Sequence, residues 1–189
     1  MGLKIGIVGA SCTGKTTLAT KLSKYFNLEV IGEIARELFQ EFNIASPREL
    51  INLEDEKRFQ QSILDAKRKA ESNLDHFVAD RTFIDAAAYW LFHLSQKVKD
   101  EESYAYFQRC RDYMNDYNIV IFLPYDRLGG CLVNDGVRTG RIYYNYAMHL
   151  LMEGMLADWN INHLLLSSKE DIEAIEYVKS KIEVPNERK

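Results

Sequence analysis

A glycine-rich segment near the start of the chain constrains the fold more than any other feature. It reads Gly9-Ala10-Ser11-Cys12-Thr13-Gly14-Lys15-Thr16-Thr17, and its first eight residues match G-x-x-x-x-G-K-[S/T] at every fixed position. The mostly apolar residues 3–8 predict a short buried strand, and residues 17–26 have the periodicity of an amphipathic helix. Successive backbone N–H groups converge in such a turn, and the helix dipole favours negative charge. The segment therefore predicts a nucleotide-phosphate site; the alternative is a glycine turn before an ordinary helix.

The residues of this loop have separate expected roles. Gly9 and Gly14 permit backbone conformations and a close phosphate approach that a Cβ would hinder. Lys15 is expected to reach the β- and γ-phosphates of ATP, and the hydroxyl of Thr16 to join the shell of a Mg²⁺ ion.

Length and composition are those of one globular α/β domain. The chain has 189 residues, of which 47% are hydrophobic and 28% charged, with a formal net charge of −4. Nothing in this balance points to nucleic acid or an anionic membrane as the main partner. Because the sequence has no apolar run of membrane-spanning length and no signal-peptide pattern, we expect a single domain over residues 1–189 in the cytoplasm.

Polar residues follow the second predicted strand, at residues 28–31. The next helix, at about 32–42, carries Glu33 and Arg36 one turn apart on its polar side. A solvated ion pair is one interpretation. We favour a functional role, because ligands of open parallel sheets bind beyond the carboxyl ends of the strands.

Residues 46–73 are predicted to be helical, with Ser46 as a candidate N-cap and Pro47 at the first helical position. The charged side chains of this region are expected to form solvated faces. They are Glu54, Asp55, Glu56, Lys57, Arg58, Lys67, Arg68 and Lys69.

The strand predicted at residues 76–80 ends in an acid, Asp80, followed by Arg81. An apolar strand ending in Asp beside a phosphate loop is the Walker B arrangement, in which the carboxylate holds Mg²⁺ or its water. Arg81 would then place a cation next to the transferred phosphoryl group. The alternative is an ordinary ion pair with Asp80 or Asp85.

Glycines and arginines concentrate at about residues 125–142, after the strand predicted at 118–123. The segment holds four of the ten glycines together with Arg127, Arg138 and Arg141. It predicts a lid that brings arginines over phosphates and excludes water; the alternative is a surface loop. Arg127 is closest to the strand and ranks below the other two arginines, because its alternative role is to brace the loop. A last strand, at 161–166, precedes Ser167 and Ser168. Either serine could cap the closing helix, and both are candidate contacts on the adenine side of the nucleotide.

Five predicted strands alternate with helices along the chain, which indicates an α/β fold with a doubly wound parallel sheet. The sequence resembles the nucleoside and nucleotide kinase branch of the P-loop NTPases. It is most similar there to ribosylnicotinamide-kinase-like domains of bacteria and phages, and more distantly to thymidylate and deoxynucleoside kinases. The resemblance rests on residues 9–17, 32–37, 79–82 and 134–138.

The resemblance implies roles for individual residues. In such kinases the acid after the second strand contacts the phosphoryl acceptor, often as a base. The Asp-Arg pair serves metal and phosphates, and lid arginines close on the donor. These roles fall here on Glu33, Asp80, Arg81, Arg138 and Arg141. Thr82 stands where thymidylate kinases have Tyr, and no Pro follows Glu33, so the substrate stays open.

We therefore expect an ATP- and Mg²⁺-dependent kinase whose small nucleoside or nucleotide acceptor lies between Glu33, Arg36 and Arg81. A carboxylate of near-normal pKa at Glu33 would orient a hydroxyl whose proton leaves late. Two alternatives remain: a P-loop ATPase that acts on a protein partner, and a kinase that acts on a modified base or an end in DNA. The acidic net charge argues mildly against nucleic acid, and the sequence leaves a homodimer open.

Overall fold

The computed structural model describes residues 2–128 and 142–183. These residues form five strands and seven α-helices, with a 3₁₀ turn at Pro47–Glu49. In chain order the elements are β1 (Lys4–Gly9), α1 (Lys15–Phe26), β2 (Glu29–Ile31), α2 (Ile34–Glu41), α3 (Leu53–Ser72), β3 (Phe77–Asp80), α4 (Phe83–His93), α5 (Asp100–Met114), β4 (Ile119–Leu123), α6 (Ile142–Asp158), β5 (Leu164–Leu165) and α7 (Ile172–Glu183).

The strands make one parallel sheet in the order β2-β3-β1-β4-β5. Successive side chains of a strand point to opposite faces, and both faces of this sheet are covered. Ile7 and Ile121 pack with α1 and α7 on one face, whereas Val8 and Phe122 pack on the other face in the larger cluster that contains residues of α3, α4, α5 and α6. Burial on both sides explains the continuous apolar sequence of β4. The expected doubly wound fold is confirmed.

The sheet register sets where a ligand can bind. Ile7 of β1 pairs with Asp80 at the end of β3, and Gly9 pairs with Leu123 at the end of β4. The loops after β1, β2, β3 and β4 therefore leave the sheet at one edge. In open α/β sheets this edge is the usual position of a ligand site.

Some element boundaries differ from the sequence-based expectation. The long α3 helix begins after Asn52, whose side chain accepts a hydrogen bond from Asp55 N at 2.8 Å, whereas Ser46 caps only the 3₁₀ turn and makes no side-chain cap bond. Strand β5 has two residues because only Leu164 and Leu165 pair with β4. Neither serine caps α7: this helix begins at Ile172, and Ser168 Oγ accepts from Glu170 N at 3.1 Å.

The expectation of fully solvated charges along α3 is wrong at one position. Lys67 is only 3% exposed, because its turn of the helix faces the end of β3 and the start of α4. Within the described parts of the chain, no helix is both long and apolar enough to span a bilayer.

Candidate active site

The loop between β1 and α1 has the backbone geometry of a phosphate cradle. Gly14 has a φ of 94°, in the left-handed region that favours glycine. A Cβ at Gly9 would lie 2.8 Å from the Leu123 carbonyl oxygen, so β4 leaves no room for a side chain there. Thr13 Oγ1 donates to Ala10 O at 3.1 Å and fixes the curve of the loop. The first turn of α1 comes next in the chain, and its first N–H groups have no acceptor within the helix.

Lys15 is the buried cation of this loop. Its ammonium group donates to Gly9 O at 2.7 Å and to Ala10 O at 2.6 Å, and the residue is 5% exposed. Burial, and secondly the nearby charge of Arg81, lowers the pKa of Lys15 to about 8, although neighbouring carboxylates act in the opposite direction. An anion bound at the loop would favour the protonated lysine and raise this pKa again.

The side chains of Thr16 and Asp80 are in contact at the carboxyl end of the sheet. Thr16 Oγ1 donates to Asp80 Oδ2 at 2.5 Å, which brings the first turn of α1 to the end of β3. Within the described residues no group of three or more His, Cys, Asp or Glu side chains is arranged to bind a metal ion. A hydroxyl and a carboxylate nevertheless fit Mg²⁺, which binds oxygen and completes its shell with water and substrate phosphates.

Within electrostatic reach of Lys15, one carboxylate lies between two arginines. Glu33 precedes α2; its Oε2 accepts from Arg36 Nε at 2.8 Å, and its Oε1 accepts from Arg81 Nε at 3.0 Å. Arg81 Nη2 is also 2.9 Å from Glu33 Oε1, so two guanidinium nitrogens contact the same carboxylate oxygen. The pair predicted from i,i+3 spacing thus becomes a cluster of three charges.

The two arginines change the acid–base character of Glu33. Burial alone would raise the pKa of this carboxyl, but the charge of Arg81, the hydrogen bond from Arg36 and the charge of Lys15 together lower it to about 2. The expectation of a near-normal pKa is therefore wrong. Glu33 stays ionised at physiological pH and is suited to accepting a hydrogen bond rather than to taking a proton early.

Arg81 has an unusual backbone and is surrounded by compensating groups. Its φ is 86°, a left-handed value that residues with a Cβ rarely adopt. Its guanidinium lies 5.6 Å from the centre of the Tyr89 ring and 3.5 Å from Asp85. Burial opposes the charge, yet the negative groups around it raise the pKa of Arg81 well above its ordinary value, so the arginine is a permanent cation.

Asp85 has a structural task that the sequence could have revealed. Thr82 Oγ1 accepts from Ile84 N at 3.1 Å, and Asp85 Oδ2 accepts from Thr82 N at 2.8 Å. This capping box starts α4 and fixes the turn that follows Arg81. Its signal, a Thr followed three residues later by an acid, stands in the sequence just after the strand.

Arg127 joins the phosphate loop to the turn after β5. It is 5% exposed and donates to Thr13 O at 3.3 Å and to Ser168 O at 2.7 Å. It also pairs with Asp171. With these contacts Arg127 braces the phosphate loop against the turn after β5. It does not face solvent as an arginine of an open lid would.

A cleft of about 370 Å³ lies beside this brace. Ser167 lines it, whereas Ser168 contributes its carbonyl to Arg127. The other lining residues are Pro124, Asp126, Arg127, His149, Glu153, Leu165 and Lys169. Arg138 and Arg141, with most of the expected lid, lie outside the described residues.

The sheet, the phosphate loop and the acid at the end of β3 define a P-loop α/β protein with the fold of nucleoside and nucleotide kinases. The chain belongs to the AAA domain family AAA_28, whose family model matches residues 4–174. No curated protein sequence matches it.

Solved structures with the same fold include a NadR protein in complex with NAD and AMP-PNP. The two are 20% identical over 100% of this chain and 51% of the NadR chain, with a TM-score of 0.68. NadR in complex with NR gives 19% identity, a TM-score of 0.72, and coverage of 99% and 53%. This chain therefore spans about half the length of NadR.

Another similar protein of known structure is matched over its whole length. Deoxyadenosine kinase from M. mycoides with bound dATP is 17% identical, with a TM-score of 0.63 and coverage of 96% of this chain and 100% of that chain. At such identities the likeness establishes the fold.

Proposed function

We propose that this protein is an ATP-dependent kinase that transfers the γ-phosphoryl group of ATP·Mg²⁺ to a small nucleoside or nucleotide. The observation that carries the proposal is the Arg36–Glu33–Arg81 cluster, which lies within electrostatic reach of Lys15 in the phosphate loop. A donor site next to a separate charged site is the arrangement that transfer between two substrates needs.

The donor side would use the phosphate loop. Backbone N–H groups of residues 9–17 would bind the phosphates, and Lys15 would leave the carbonyls of Gly9 and Ala10 for the β/γ-phosphate oxygens. Thr16 and Asp80 would hold Mg²⁺, which when bound neutralises charge on the phosphates. The adenine base is proposed to lie near Ser167 and Ser168, with Arg138 and Arg141 over the donor.

The acceptor side would use the charge cluster. Glu33 is ionised and would accept a hydrogen bond from the acceptor hydroxyl, orienting it towards the γ-phosphorus. Arg81 and Arg36 would supply positive charge beside the group in transfer. A loose phosphoryl transfer needs little removal of the proton before the transition state, so a weak base at this position is consistent with the reaction.

Similar solved structures support a nucleoside or nucleotide acceptor. The structural neighbours include NadR with bound NR and deoxyadenosine kinase with bound dATP. The match to an AAA domain family favours a second candidate, an ATPase that acts on a protein partner.

One assay separates the two candidates. ATP consumption is measured alone and with each member of a panel of nucleosides, nucleotides and short DNA, using a Lys15→Met preparation to subtract contaminating kinases. A kinase consumes ATP at least about tenfold faster with one panel member than without any. Consumption at one constant rate across the panel would favour the ATPase.

A further inference from the structure

A buried lysine lies behind Arg81, on a helix that the proposed reaction does not use. Lys67 of α3 donates from Nζ to the Arg81 carbonyl oxygen at 2.8 Å. Lysine is almost never fully buried unless its charge is paired. Here Glu71, one turn further along α3, is 2.8 Å from the same ammonium group, and the two side chains are 4% and 2% exposed.

A third group completes the arrangement. Tyr117 donates its hydroxyl proton to Glu71 Oε1, and burial together with the charge of Glu71 raises the pKa of this phenol well above its usual value. The Tyr117 hydroxyl therefore stays protonated and donates to Glu71, and the Glu71 carboxylate in turn pairs with the Lys67 ammonium group. Tyr117 stands just before β4, so the chain Tyr117–Glu71–Lys67 links that strand to the residue after β3.

The group at the end of this chain is a residue in a strained conformation. Arg81 has a φ of 86°, and a residue with a Cβ keeps such a backbone only where its surroundings hold it. Both of its peptide groups are held: Arg81 N donates to Ile7 O at 3.1 Å, and Arg81 O accepts from Lys67. The same turn directs the Arg81 side chain to Glu33.

We propose that Lys67 is a positioning residue: by binding the Arg81 carbonyl it keeps the Arg81 guanidinium on Glu33 and beside the phosphoryl group in transfer. This inference rests on the proposed kinase reaction for its effect on rate. Glu71 and Tyr117 serve it by neutralising and orienting the ammonium group. Without Lys67 the turn relaxes towards ordinary backbone angles, and the guanidinium leaves the position that Glu33 defines.

If Lys67 only formed a structural ion pair between α3 and the sheet, its effect on kcat would add to that of Arg81. A double-mutant cycle separates this role from positioning of Arg81. If Lys67 acts through Arg81, Lys67→Met combined with Arg81→Met loses no more kcat than Arg81→Met alone. We expect Lys67→Met by itself to lower kcat by roughly 10- to 100-fold, since small misplacements of reacting groups have effects of this size, with the Kd for ATP within about twofold of wild type.

Two further variants keep the test valid. Lys67→Met leaves the Glu71 carboxylate buried without its cation, which can prevent folding, so Lys67→Met with Glu71→Gln removes both charges and keeps an acceptor for Tyr117. Lys69→Met is the matched control, because Lys69 lies on the exposed side of the same helix; its kcat should equal that of wild type. Wild-type kcat in the folded Lys67→Met/Glu71→Gln protein, or losses that add to that of Arg81→Met, would overturn the proposal.

A readout independent of activity distinguishes this proposal from the kinase assignment. In protein labelled with ¹⁵N-arginine, the Nε–H signal of Arg81, assigned by its loss in Arg81→Met, reports the bond to Glu33. We expect it to shift or broaden in both Lys67 variants and to stay unchanged in Lys69→Met. An unchanged signal contradicts positioning even if the enzyme is a kinase. A shifted signal in a protein without transfer activity would support positioning and reject the kinase function.

Discussion

The two halves of the candidate site are built in opposite ways. The proposed donor side consists of nine consecutive residues whose backbone and one lysine converge between β1 and α1. The proposed acceptor side brings Glu33 after β2 together with Arg81 after β3, 48 positions later, through side-chain contacts alone. A backbone cradle is specified locally, whereas a cluster of ion pairs depends on the tertiary structure around it. Substitutions should therefore affect the two halves differently.

The largest effect is expected on the donor side. Lys15→Met removes the cation that would neutralise charge developing on the phosphates, so kcat should fall by about 100-fold or more, as with other preorganised electrostatic partners. Steady-state kinetics with the control Lys24→Met, an exposed lysine of the same helix, measures this effect. Turnover near the wild-type value in Lys15→Met would disprove the role of the loop.

Substitutions on the acceptor side should lower the rate of transfer and leave the affinity for ATP nearly unchanged. Glu33→Gln keeps the shape of the side chain but removes the charge that fixes Arg81 and Arg36. We expect transfer to slow by about 100-fold while the Kd for ATP changes less than threefold. Glu41→Gln, at the exposed end of α2, is the control. If Glu33→Gln weakens ATP binding and keeps kcat, Glu33 belongs to the donor side.

The pKa values of the two halves predict different pH dependence. Lys15 has a pKa of about 8 before an anion binds; it is protonated below that pH and loses its charge above it. If ATP binding requires the cation, as proposed, affinity should be constant below pH 8 and fall by up to tenfold per pH unit above it. The Glu33 carboxyl, with a pKa of about 2, contributes nothing in this window.

Calorimetric titration of ATP from pH 7 to 9.5 measures this dependence and the accompanying proton uptake. Lys15→Met is the matched control, and its weaker affinity should not vary with pH. A wild-type Kd that stays constant to pH 9.5 would mean that Lys15 is not the titrating group.

Arg127 joins the phosphate loop to the turn after β5, and its substitution should mainly lower the stability of the protein. The Arg127 and Asp171 side chains are 2% and 8% exposed. Removal of Arg127 leaves the buried Asp171 carboxylate with the exposed Lys21 as its remaining ion-pair partner in the described residues, and it takes away the donor to Ser168 O. Arg127→Gln should lower the free energy of unfolding by about 3 kcal/mol and reduce kcat only a few-fold at saturating ATP. Denaturant melts measure the first quantity.

The second partner of Asp171 provides the comparison for Arg127. Lys21 contacts the same carboxylate at 2.6 Å but is 55% exposed, so Lys21→Met should change the free energy of unfolding by less than about 1 kcal/mol. Equal losses in the two variants would show that burial does not set the strength of this contact.

The contrast between the halves also explains what the sequence could predict. The phosphate loop follows from a contiguous motif, and the ion pair of Glu33 with Arg36 follows from i,i+3 spacing on one helix. Short, nearly continuous apolar runs that alternate with amphipathic helices predicted the fold. Each of these inferences uses residues that are close in sequence.

Apart from the local caps at Asn52 and at Thr82 with Asp85, the missed features depend on contacts between distant segments. Lys67 stands in a row of charges on α3, and only the packing of that helix against the end of β3 shows that it is buried. The pKa of Glu33 depends on Arg81, 48 positions away. For Arg127 the sequence left a lid group and a brace of the loop both open, and its contacts with Thr13 and Asp171, 114 and 44 positions away, identify the brace.

The fate of the γ-phosphoryl group tests the central claim most directly. ATP labelled in that group is incubated with Mg²⁺ and the panel member that most accelerates ATP consumption, and the products are separated. If the two sites act together, the label should appear in the phosphorylated acceptor and almost none as inorganic phosphate. Glu33→Gln should slow this transfer by about 100-fold while ATP still binds. Label released only as inorganic phosphate, at the same rate with and without the acceptor, would contradict the account.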